Sequence, residues 1–205
     1  HAFRFPANHP GAYKHFNDFG RNVLGENWVI HWGANRRGAT RGVIEPGVAG
    51  DPILRGVSDL FGDSGVYETH PAPGSRILAR GQVLKGMKPD DPPDLEQRKK
   101  RKSDGQEQGI NDPMMPIAWT RLNRPENGPT NRVFCTTMGA ATDLANEGLR
   151  RLVVNAVLSG FGLEIPAATD VRYVDPYEPA PYAFKGYRRG LTPDDFAVKV
   201  QVMPA

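Results

Sequence analysis

Two histidines and an aspartate, His1, His31 and Asp143, are the residues of this chain whose types suit proton transfer. Imidazole titrates near neutral pH, and a carboxylate beside it can orient it, so such a set can act as acid and base on a hydroxyl. Arg37, Thr40, Arg41, Thr136 and Thr137 add guanidiniums and hydroxyls able to hold a polar substrate. The histidines and carboxylate can also hold a divalent metal. The spacing carries no metal signature, however: there is no H-E-x-x-H and no cysteine pair. The structural alternative is that His31 serves backbone groups beside a glycine-rich loop and that His1 is an exposed terminus. Residues 33–42 (GANRRGATRG) read as a loop whose amides and arginines can grip a carboxylate or phosphate, without the G-x-x-x-x-G-K-[ST] pattern of a nucleotide loop. Glu147 lies four residues before Arg151, the spacing of a helical surface ion pair worth roughly a few tenths of a kcal/mol.

The elements that must position this set centre on residues 131–162. Residues 132–137 are short, β-rich and mostly apolar, which suits an inner strand. Thr142 and Asp143 can cap a following helix. Leu149, Leu152, Val153, Ala156 and Val157 then repeat at helical spacing, and Gly160 and Gly162 end the run. A strand feeding a helix is half of an α/β layer, and sites in such sheets lie outside the carboxyl ends of the strands, here near Thr136 to Thr142. Upstream, 13–24 reads as a short helix stopped by Gly25; 27–32, 66–69, 76–84 and 115–122 read as strands. Residues 85–113 lack apolar periodicity and read as a solvated, mobile loop. The basic run Arg98 to Lys102 lies between acidic residues and lacks interleaved aromatics, so it reads as solvated surface rather than a nucleic-acid contact.

The length of 205 residues allows one sizeable core, and 23 glycines with 19 prolines require much turn and loop. A net charge of +3 is too small to argue for nucleic acid. Cys135 is the only cysteine, so no disulfide forms within the chain, and its place in a strand pattern reads as a small buried hydrophobe. No run reaches the length of a membrane span. No signal peptide is present, and any such signal would lie upstream of His1, so the compartment stays open.

Taken in order, His1-Ala2-Phe3, the 19–25 run FGRNVLG, His31-Trp32-Gly33, Thr40-Arg41-Gly42-Val43, His70-Pro71, Gly81-Gln82-Val83-Leu84, the 116–120 run PIAWT and 132–155 resemble the trehalose-utilisation (ThuA-like) family, in the variant found in large multi-domain bacterial proteins. The resemblance implies an α/β fold, a mostly parallel sheet flanked by helices of the class I glutamine amidotransferase-like or flavodoxin-like kind, incomplete at its N-terminus. It implies a partial domain over 1–162, with 163–205 an extended Pro/Tyr-rich tail or linker toward other domains of a longer parent chain. Strand ends of such a fold bring His1, His31, Thr137 and Asp143 to one rim. The implied partner is a sugar or keto-sugar derivative, processed by hydrolase- or isomerase-like acid–base chemistry; no cofactor is identified, and the charge and run lengths above argue against nucleic-acid binding and membrane insertion. Amidotransferase activity is not expected, because the elbow position of the nucleophile holds His1 rather than cysteine and Ala140 stands where the post-strand histidine would be. The rival expectation is a non-catalytic carbohydrate-binding or protein-interaction module.

Overall fold

Runs of β-branched and apolar residues, separated by Gly- and Pro-rich turns, make seven short strands and one longer helix among the described residues, which in this computed structural model are 19–126, 128–181 and 189–196. The strands are β1 (Thr40–Ile44), β2 (Phe61–Gly62), β3 (Arg76–Val83), β4 (Arg98–Lys100), β5 (Glu107–Gly109), β6 (Met115–Asn123) and β7 (Asn131–Thr136); the helix is α1 (Glu147–Gly160). Five strands form a sheet in the order β2-β1-β3-β6-β7, curled into a half-barrel, and β4 pairs with β5 in a separate hairpin. Every one of these pairings is antiparallel.

This corrects the expected parallel sheet flanked by helices. A parallel neighbour needs a crossover of a dozen or more residues, usually helical, between the paired strands. Here the segments between strands form only short turns of 3₁₀ helix, and α1 follows β7, the last strand of the sheet. A strand followed by a helix does not define strand direction until a second strand returns beside the first. The 132–137 segment, expected as an inner strand, pairs only with β6 and lies at the border of the described sheet.

Close approach of backbones explains one pair of glycines. Gly42 and Gly81 face each other across β1 and β3. A Cβ on Gly42 would lie 2.5 Å from the Leu60 Cβ, and one on Gly81 would lie 2.6 Å from the Ile117 Cγ2. The space they vacate lets Leu60, Val66, Leu78 and Ile117 close the concave side with almost no exposure. Leu149 and Leu152 of α1 join that core, each such burial contributing about 1.5–3 kcal/mol.

The helix starts later than the expected cap. Asn146, not Thr142 or Asp143, accepts from Leu149 N at 2.8 Å, and Thr142 heads a 3₁₀ turn, Asp143–Ala145. The segments 27–32 and 66–69 run side by side with a bridge between His31 and Tyr67 rather than forming full strands. The start of the expected 13–24 helix lies outside the described residues, and the rest is a π-turn, Gly20–Leu24, ended by Gly25 at φ +92°.

Residues 85–113 fold back instead of forming a loose excursion. The Asn111 side chain accepts from Val83 N at 2.7 Å and donates to Val83 O at 2.9 Å, continuing the edge of β3. Trp32 Nε1 donates to Ile110 O at 2.8 Å, and Lys99 Nζ donates to His31 O at 2.6 Å. Beyond α1, the chain up to Tyr173 lies against the helix. Ile165 and Val171 are buried, Arg150 Nε donates to Val171 O at 3.0 Å, and Thr169 Oγ1 donates to Asn155 Oδ1 at 2.5 Å.

Candidate functional site

The residues expected to form a polar rim are mostly consumed by the fold. Asp143 is 1% exposed and its carboxylate accepts from four donors: Ser64 N at 3.0 Å, Ser64 Oγ at 2.5 Å, Gly139 N at 3.0 Å and Ala140 N at 3.1 Å. Three of these donors fall on Oδ2 and one on Oδ1; the buried carboxylate ties the end of β2 to the turn after β7 and is closed to substrate by its burial. Thr40 is buried and donates to Ser64 O at 2.6 Å. Arg41 holds the 89–91 turn, donating to Pro89 O and, at 3.2 Å, to Asp91 O. Arg37 is exposed on the 34–38 turn. Thr136 Oγ1 accepts from Met138 N at 3.1 Å, and Thr137 N donates to Ile117 O at 2.9 Å. Glu147 pairs with Arg151 at 2.5 Å on the helix surface. His1 lies outside the described residues.

His31 is half-buried against Tyr67, ring centroids 5.0 Å apart, with Trp28 edge-on at 6.0 Å. Its Nδ1 is buried and makes no hydrogen bond among the described residues. Burial, then the charge of Lys99, pushes its pKa below the usual 6.5, so it stays neutral. Thr40, Ser64 and Asp143 form one hydrogen-bonded chain, and the Asp143 charge reaches Tyr67, whose phenol is raised first by burial and then by that charge. His31 thus shares a neighbourhood with Asp143 through Tyr67 but makes no hydrogen bond to it. Burial likewise pushes the Cys135 thiol up, so it remains protonated and inert. Among the described residues no three His, Cys, Asp or Glu side chains converge as a metal centre requires.

The chemistry gathers elsewhere, around His70. Glu68 is fully buried beneath it and accepts from Lys102 N at 2.8 Å and Ser103 N at 2.9 Å. Burial alone would raise the Glu68 carboxyl, but hydrogen bonds from Ser103, Lys102 and His70 together outweigh it and hold the group below its usual range. An ionised carboxylate only accepts, so His70 Nε2, 3.2 Å from Glu68 Oε1, carries the ring proton. Ser103 Oγ lies 3.1 Å from the same nitrogen. Both contacts fall on one ring nitrogen, so this is not a relay from carboxylate through imidazole to a serine nucleophile, which needs the two nitrogens on opposite partners. The arrangement instead sets the tautomer and leaves Nδ1 as the basic atom. The His70 backbone is pinned as well, its amide donating to the carboxylate of Glu26, which burial pushes above its ordinary pKa.

His70, whose side chain is 40% exposed, forms part of the wall of a hollow of about 390 Å³ with Thr69, Arg80, Arg101, Gln108 and Met115. Both guanidiniums are already matched. Arg80 contacts Glu45 at 2.5 and 3.2 Å, and Arg101 contacts Asp104 at 2.9 and 2.6 Å. Gln108 accepts from Arg101 at 3.0 Å and donates to Pro113 O at 2.9 Å. The wall therefore offers fixed, planar hydrogen-bonding groups with charges balanced in pairs. The spacing of Glu68 and His70, two apart in an extended segment, is the sequence signal for this site, because such residues share one face. Ser103, 33 residues on, gives no such signal. Comparison of the chain with protein-family models, with curated proteins and with solved structures gives no match.

Proposed function

We propose that this chain binds a neutral polyhydroxylated molecule, a sugar or sugar derivative, in the hollow beside His70, and that His70 acts there as a general base oriented by Glu68. The observation that carries the reading is the buried, ionised Glu68 fixing one nitrogen of a half-exposed imidazole on the wall of that hollow. The paired guanidiniums favour an uncharged ligand, since an anion would have to displace Glu45 or Asp104. The choice of sugars rests on the resemblance of the sequence to the ThuA-like family; the parallel fold which that resemblance implies forms no part of it. A single base can remove a proton beside a carbonyl and return it, on the same face, to the neighbouring carbon, while the hydroxyl proton passes between the two oxygens of the enediolate. Isomerisation of a keto-sugar therefore balances without a further reactant.

A second reading, binding without turnover, is favoured by the same ion pairs. With both guanidiniums engaged, the wall presents no unpaired cation to a substrate oxygen gaining negative charge. Trehalose, its 3-keto derivative and glucose, each titrated calorimetrically and incubated in heavy water with mass-spectrometric detection of deuterium uptake, separate the readings. General-base action predicts uptake into the keto-sugar that falls about 100-fold or more in His70→Gln, with affinity changed only a few-fold. Saturable binding without uptake supports the second reading, and absence of both overturns the two together.

A further inference from the structure

We infer that the chain has a second ligand site, for an amphipathic anion, in the hollow between the distal ends of β6 and β7 and the last turn of α1. This hollow measures about 430 Å³ and does not share the His70 wall. Its charge balance is the reverse of the first. Arg76, Arg121 and Arg132 border it, against the single carboxylate of Asp51, which pairs with Arg76 at 3.0 Å. Arg121 points to the opposite face of β6, where it donates to Arg21 O, so one guanidinium, that of Arg132, is left in excess. Arg132 is exposed and has no ion pair or hydrogen-bond partner among the described residues.

The remaining lining is mostly apolar, with hydroxyls from Thr120 and Ser159. Ile53 and Ala156 are buried, Phe134 is half-buried, and Leu122 stays 51% exposed at the mouth. Thr120 pairs with Phe134, and Leu122 with Arg132, in the register of β6 and β7. Residues alternating along a strand share a face, so Thr120 and Leu122 stand on one side of the sheet together with Phe134 and Arg132. That side carries a hydroxyl, two apolar surfaces and a free guanidinium in one row. The last carbonyls of α1 are taken by Phe161 N, Gly162 N and Leu163 N at 2.9–3.1 Å. The negative pole of the helix is worth about half a charge, less than the full charge of Arg132 beside it. A carboxylate or phosphate on a short apolar body answers all of these groups at once, the head on Arg132 and the body over Phe134, Leu122 and Ala156.

Phenyl phosphate is the probe, titrated calorimetrically into the whole chain, with inorganic phosphate and phenol as its two halves. The site predicts saturable binding of phenyl phosphate at one site, tighter than either half. Arg132→Gln should weaken it about tenfold or more, as should Ser159→Phe, which fills the hollow from a half-buried position. His70→Gln should leave it unchanged, so the site stands or falls apart from the sugar reading. Lack of saturable binding, equal affinity for inorganic phosphate, insensitivity to both Arg132→Gln and Ser159→Phe, or loss in His70→Gln would each overturn the inference.

Discussion

Asp143 and Glu68 are both buried carboxylates, yet they serve different ends. Asp143 spends its oxygens on one serine hydroxyl and three backbone amides, joining β2 to the turn after β7. Asp143→Ala strands those donors and should cost about 3–5 kcal/mol in urea denaturation, without a direct effect on ligand binding at His70. Glu68 spends one oxygen on an imidazole facing solvent, so Glu68→Gln should act through His70. It should lower any deuterium uptake by the keto-sugar and shift its pH profile, whereas a merely structural role would change neither. His31 gives a prediction for stability. Its pKa is depressed from 6.5, so below that pH the folded state binds fewer protons than the unfolded chain, and stability falls as pH drops through it. In scanning calorimetry the deficit in Tm of wild type relative to His31→Gln should therefore grow between about pH 7 and pH 5. At this scale the sequence is partly legible. Residue type marks Asp143 and His31 as unusual, and the alternation of an extended segment places Glu68 under His70. What residue type does not show is whether a carboxylate's partners are internal. The four donors to Asp143 come from two segments, one of them 79 residues away, and only the folded chain brings them there.

At the scale of elements, α1 docks by way of a glycine. A Cβ on Gly148 would lie 1.5 Å from the Asp59 carbonyl oxygen, so the first turn of the helix touches backbone directly. Gly148→Ala must move the helix or the 59–60 segment and should cost about 2–3 kcal/mol or more by chemical denaturation, although alanine raises helix propensity. The strands β3, β6 and β7 and the body of α1 are legible in the sequence nearly residue for residue, because the strands are short β-rich runs bounded by turn residues and the helix repeats its apolar residues at helical spacing. Their direction is not. Local pattern fixes which side chains point inward but carries no information about which neighbour a strand pairs with. The turn at 124–130 between β6 and β7 is short enough for a hairpin, and that length was the available clue against a parallel layer. The 85–113 segment escapes the pattern for another reason. Its contacts are long polar side chains reaching backbone, Asn111 to Val83 and Lys99 to His31, and hydrophobic periodicity does not register them.

At the scale of the whole molecule, three arginines hold the chain beyond α1: Arg55 donates to Ile165 O at 2.5 Å, Arg151 to Thr169 O at 3.1 Å, and Arg150 joins the 144–145 turn to Val171 and Tyr173. Arg150 donates to Leu144 O at 2.8 Å, Ala145 O at 2.9 Å and Val171 O at 3.0 Å, and its guanidinium lies 4.1 Å from the Tyr173 ring centroid. Arg150→Met keeps the stem and removes every one of these bonds. Amide hydrogen exchange should then accelerate across 171–173 while the β3 and β6 amides keep their protection, since the two regions open separately. The long reach of Ser64 to Asp143 carries a last consequence, for the order in which the protein can assemble. β2 is a two-residue strand whose anchor leaves the ribosome some eighty residues later. During synthesis the N-terminal half must wait, its short border strand unsealed, and release of the region around residue 143 becomes the event that locks the nascent sheet.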